Sequence, residues 1–112
     1  MTNKSYIKGY RFEMRVKKDL ERAGFYVIRQ GKSRFPDLIC FPPNGIGKTT
    51  VVECKCSKDS FRGDDATRLV ETAHKIGALP VLAFKDKRGH IKYRTYPVLE
   101  LGHMGKRVSV KL

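Results

Sequence analysis

The hexapeptide Val51-Val52-Glu53-Cys54-Lys55-Cys56 (VVECKC, residues 51–56) has the β-branched density of a buried strand, yet it carries an acid and a base. Side chains alternate between the two faces of a strand. Val52, Cys54 and Cys56 therefore share one face, while Val51, Glu53 and Lys55 share the other. The plainest account of two opposite charges side by side is a solvent-facing ion pair, which stabilises little. The surroundings of the hexapeptide decide whether the charges do more.

Immediately upstream, PPNGIGKTT (42–50) reads as a turn that joins VVECKC to a strand DLICF (37–41). The Gly47-Lys48-Thr49 triplet in that turn is not a phosphate-binding P-loop, because Pro42 stands where the first glycine belongs and a strand follows instead of a helix. Its tip is a basic hairpin able to brush a phosphate backbone. Further upstream, FYVIR (25–29) is a third strand, separated from DLICF by the polar loop QGKSRFP. Phe12, Val16, Leu20 and Ala23 recur at helical spacing, so residues 6–23 form an amphipathic helix that Gly24 ends. Glu13 falls at the edge of its apolar stripe.

Downstream, Ala66, Leu69, Val70, Ala73 and Ile76 mark a helix over 66–76, with Asp64 or Asp65 as cap and Gly77 at its end. LPVLAFK (79–85) is a strand buried on both faces, IKYRTY (91–96) a half-exposed one, and the tail KRVSVKL is a candidate for another. The order α-β-β-β-α-β-β predicts one α/β domain over residues 1–112, with a mixed β-sheet core flanked by helices.

Lys and Arg outnumber Asp and Glu by 24 to 11, a formal charge of +13. Such an excess on a small folded chain favours a polyanion as partner, with nucleic acid ahead of a membrane surface. No 18-residue apolar segment exists and MTNKSYIKGYRF lacks the hydrophobic stretch of a signal peptide, so a cytoplasmic protein with no membrane association is expected. Cys40, Cys54 and Cys56 lie in apolar surroundings and read as reduced, buried thiols; with His74, His90 and His103 scattered, they do not make a zinc site.

Asp37 follows Pro36 at the head of one strand, and Glu53 and Lys55 lie on the next. Neighbouring strands are about 4.8 Å apart, so Asp37 and Glu53 on a common side can hold one divalent cation between them. Mg²⁺ suits carboxylate and water oxygens, and keeps coordination sites for a phosphate oxygen and an attacking water. Lys55 would orient that water or stabilise the charge that develops, and Glu13 would join the metal directly or through water. That is a site for phosphodiester hydrolysis.

Pro36-Asp37 followed by Glu53-Cys54-Lys55 matches the PD-(D/E)xK signature, and the element order resembles the core of the restriction-endonuclease-like superfamily. More narrowly, KGYRFE (8–13), GFYVIRQGKS (24–33), PDLI (36–39), VECK (52–55) and RLVETAHKIGALPVLAF (68–84) resemble the archaeal-type Holliday junction resolvases. The resemblance implies Glu13, Asp37, Glu53 and Lys55 as catalytic residues. It also implies Mg²⁺, with Mn²⁺ as a substitute, on Asp37, Glu53, Glu13 and the Cys54 backbone carbonyl. A homodimer nicking opposed strands of four-way junction DNA is implied as well. Lys8, Arg11, Arg15, Arg29, Lys32, Ser33, Arg34, Lys48, Lys58 and Arg62 are the expected DNA contacts, and the apolar faces of helix 66–76 and strand 79–84 the expected dimer interface.

One position departs from the pattern. Family members usually carry Arg directly after the helix-1 Glu, where this chain has Met14. Arg11 or Arg15 are candidates to serve the same phosphate, although they are turned from position 14 by about 60° and 100° on a helical wheel. Two other readings stay open. One is a related nuclease acting on flaps or duplex DNA; the other is a non-catalytic architectural binder whose acids only make salt bridges.

Overall fold

The computed structural model describes residues 4–32, 34–96, 98–101 and 107–110, the last two segments by chain path alone. Helix α1 (Lys4–Arg22) begins earlier than the apolar periodicity indicates and buries Phe12 and Val16. The chain leaves it through Gly24 at φ 97, in the left-handed region that favours glycine. Strands β1 (Tyr26–Arg29), β2 (Leu38–Phe41) and β3 (Thr50–Lys55) then form an antiparallel meander. Sequential strands have paired with their neighbours, the shortest available route.

Helix α2 (Gly63–Ile76) carries the chain over to β4 (Leu79–Lys85), which lies parallel to β3, and β5 (Ile91–Thr95) returns antiparallel to β4. The resulting sheet has the order β1-β2-β3-β4-β5. Two strands at the end, β6 (Val98–Leu101) and β7 (Arg107–Val110), pair with each other as a separate ribbon. The sequence suggested only one strand there; VLEL is too short and continuous to declare its period.

The helices cover opposite faces. Under α1, Phe12 and Val16 pack on Val27, Leu38, Cys40, Val52, Val81 and Ala83, with Cys54 and Cys56 at the margin. Under α2, Leu69 and Ala73 pack on Val51 and Ala78. The alternation read from VVECKC therefore holds, with each set of side chains facing its own helix. The expected interface on strand 79–84 does not hold, because that strand is interior and Pro80 to Ala83 are buried between β3 and β5. Helix α2 likewise spends Leu69, Val70 and Ala73 on the chain's own core.

Candidate active site

The β2–β3 register pairs Leu38 with Val52, so one step further brings Asp37 opposite Glu53. Asp37 sits just ahead of β2 and not within it as expected, and side chains complete the pairing there. The Asp37 backbone N–H donates to Glu53 Oε1 (3.1 Å), and Asp37 Oδ2 accepts from the Cys54 backbone N–H (2.8 Å). Each acid is thus fixed by the strand that carries the other. Gln30 closes the loop between β1 and Asp37: its backbone N–H donates to the Asp37 carbonyl (2.9 Å) and its side-chain amide to the Pro36 carbonyl.

From α1, Glu13 reaches the same place. Its carboxylate lies 3.6 Å from a guanidinium nitrogen of Arg29, whose flat face stacks on Tyr10 at 4.7 Å. Gly31 turns the chain beside that guanidinium at φ 58, where a Cβ would stand 3.2 Å from Arg29. Lys55 extends from β3 to within 3.9 Å of Glu53 Oε2. These groups line one cavity of about 340 Å³, whose far wall is α2 with Asp65 and Arg68.

Burial dominates the electrostatics. Glu53 is 7% exposed, and desolvation, then the Asp37 carboxylate, push its pKa up to about 8. Desolvation and Asp37 also raise Glu13, to about 7, against the pull of Arg29. Acids held this way accept a cation readily, because a cation repays desolvation and relieves the repulsion between them. The donor set fits a hard divalent ion: the carboxylates of Asp37, Glu53 and Glu13 line one cavity, with room for water. Among the described residues no three acidic, thiol or imidazole side chains are gathered as a ready cage. Thiols take no part. Cys54 and Cys40 are both free and both raised by burial, Cys40 to about 12, so they stay protonated.

The expected DNA contacts divide. Arg29 and Arg34 line the cavity, and Lys32 sits in the adjoining turn at φ 50. Ser33 lies outside the described residues. Lys8, Arg11 and Arg15 are on the opposite flank of α1 and do not reach the cavity, so neither arginine takes the place left by Met14. The helical wheel explains it, since both are turned away from Glu13 by more than a right angle. Lys48 follows β2 and precedes β3, at the end of the sheet opposite Asp37. Lys58 lies in a short 3-10 turn and Arg62 at the head of α2, where its N–H donates to the Asp65 carboxylate (3.0 Å); neither lines the cavity.

Several residues went unread. Tyr10 sits three positions before Glu13 on one helix face, a spacing that could have pointed to it. Gln30 had no local signal. The Arg68 guanidinium stands over the Phe35 ring at 4.2 Å, so both walls of the cavity present an arginine over an aromatic ring. Nothing local distinguishes Arg68 from Lys75, the other Lys or Arg of α2.

Over residues 4–111 the chain matches the family model described as archaeal Holliday junction resolvase (Hjc). The chain belongs to that family. It is 35% identical over 83 residues to the crossover junction endodeoxyribonuclease Hjc of Methanocaldococcus jannaschii, a match that covers 71% of this chain and 60% of the relative. The chain thus spans less than two thirds of that relative's length. Hjc of Archaeoglobus fulgidus, described as a Holliday junction resolvase from an archaeal hyperthermophile, superimposes with a TM-score of 0.62 at 24% identity, over 79% of this chain and 72% of that one. The fold is therefore restriction-endonuclease-like, as the element order implied.

Proposed function

We propose that residues 1–112 act as one nuclease domain, a Mg²⁺-dependent endonuclease that resolves four-way DNA junctions by paired, symmetric nicks. The observation that carries this reading is the cross-strand lock of Asp37 and Glu53, which aims two acids and Lys55 into one cavity beneath Glu13. Membership of the resolvase family supports it.

Asp37, Glu53 and the Cys54 carbonyl hold the ion, with Glu13 acting directly or through water; Mn²⁺ substitutes. Bound there, the cation supplies a Lewis acid for the scissile phosphate and acidifies water. Lys55, beside Glu53, orients the attacking water and stabilises the negative charge that builds on the phosphate. Arg29 and Arg34 on one wall and Arg68 on the other receive the flanking phosphates, each as a fixed cation. Cation–π contact with Tyr10 and Phe35 holds two of these guanidinium groups in place before substrate arrives, which reduces the ordering cost of binding.

One chain has one such site, so cutting two opposed strands requires two copies, and the working unit is a symmetric homodimer. The enzyme acts in the cytoplasm on DNA; no helix among the described residues is long and apolar enough to cross a membrane. The test incubates an end-labelled four-way junction and its separate linear arms with the protein and with Asp37→Asn, each in Mg²⁺ or EDTA. Paired nicks at symmetry-related positions in the junction alone, lost in EDTA and in the variant, are expected. Binding with no scission in any divalent metal refutes the reading.

A further inference from the structure

Four of the cations that miss the active cavity share one face of α1. Lys4, Lys8, Arg11 and Arg15 recur at i, i+4, i+7 and i+11 and fall within about 60° of one another on a helical wheel, about 170° from Glu13. With Lys85 of β4 they surround a second cleft, about 450 Å³, on the flank of α1 opposite the carboxylates. No acidic residue among those described lines it. Its floor is the ring of Phe12, over which the Arg15 guanidinium and the Lys85 ammonium stand at 5.9 and 5.7 Å. Arg15 is fixed further by donating to the Gly89 carbonyl (3.0 Å), which ties the cleft to the β4–β5 turn.

A solvated helix face ordinarily mixes signs to limit self-repulsion. Here one sign continues for three turns over an open groove, on a chain whose partner we have read as DNA. The active cavity and the cleft are separated by the body of α1, about 10–12 Å with side chains. A backbone strand lying in the cavity therefore leaves the cleft free. A branched substrate brings a second backbone to the same place.

We propose that the cleft is a second phosphate-backbone site, which holds one duplex arm of the junction while a neighbouring arm enters the carboxylate cavity. This rests on the resolvase reading and deepens it: preference for branched over linear DNA comes from occupying both flanks of α1 at once. The cleft reads charge and spacing, not base sequence.

The test is Lys8→Ala/Arg11→Ala, two exposed positions, with circular dichroism to verify the fold and Lys4→Gln/Lys8→Gln as a second variant. Affinities for a four-way junction and for one of its linear arms are measured by fluorescence anisotropy in EDTA across a salt series. The junction-to-arm affinity ratio is expected to fall about tenfold, and the salt slope for the junction to flatten by about 2, one for each phosphate that the variant no longer neutralises. Equal losses on both DNAs would make the cleft a general DNA-binding surface and overturn the proposal, as would an unchanged ratio in both variants. Wild-type protein without any preference for the junction would instead refute the resolvase reading and this inference with it.

Discussion

Replacing Glu53 with glutamine tests whether the cavity stores repulsion that a cation relieves. Glu53 protonates at about 8 in the folded chain against an ordinary 4.5, raised by burial and by the Asp37 carboxylate, with Lys55 and the Asp37 backbone N–H opposing. Between those values the folded state holds a proton that the unfolded state has released. The slope of unfolding free energy with pH is therefore negative, and stability falls as pH rises through this window. At about 1.4 kcal/mol per pH unit the shift sets an upper bound of about 5 kcal/mol, and water entry with side-chain relaxation leaves about 2–3. Glutamine keeps an acceptor for the Asp37 N–H while losing the charge. Urea unfolding of metal-free protein at about pH 5 and pH 8 should show the wild type losing about 2–3 kcal/mol more than Glu53→Gln, whose remaining loss comes from Glu13, itself raised to about 7. Millimolar Mg²⁺ at the higher pH should stabilise the wild type and leave the variant unmoved. A wild-type stability that is flat or rises across this range would refute the reasoning.

Asp37→Asn should lower the single-turnover cleavage rate at least about 100-fold, while junction affinity in EDTA, measured by gel shift, holds or rises because one negative charge leaves the cavity. Arg68→Ala should weaken junction binding by about 1–2 kcal/mol and Arg68→Lys should recover only part of it, since the stack on Phe35 needs a planar cation; anisotropy titration checks both. Gly77 ends α2 at φ 67, so Gly77→Ala should cost about 1 kcal/mol in thermal unfolding and leave cleavage kinetics unchanged below the melt.

What could be read in advance followed from short-range rules. Strand alternation put Glu53 and Lys55 on one face, and hairpin spacing put Asp37 at the head of the adjacent strand; the register that sets it opposite Glu53 came from the structure. Helical periodicity sent Phe12 and Val16 inward and left Glu13 at the margin. Those few positions were enough for both the fold and the acids of the site. Arg68, Gln30 and Tyr10 escaped because their roles arise only when α2, the β1–β2 loop and α1 converge. The same convergence separated Arg11 and Arg15 from the cavity, since a charge on a helix is committed to a flank that composition does not record. The apolar run of β4 was legible as buried, yet treating part of it as a dimer surface ignored that α1 and α2 already cover the two faces of the sheet.

The cross-strand lock also makes the site a reporter on itself. The Cys54 amide has its hydrogen bond to a carboxylate oxygen of Asp37, where an ordinary rung of a sheet would have a carbonyl. Any event that engages that oxygen, whether protonation, a cation or a substituted side chain, changes the protection of one backbone proton. Amide hydrogen exchange at residue 54 therefore reads occupancy of the cavity without a substrate, a label or a completed reaction.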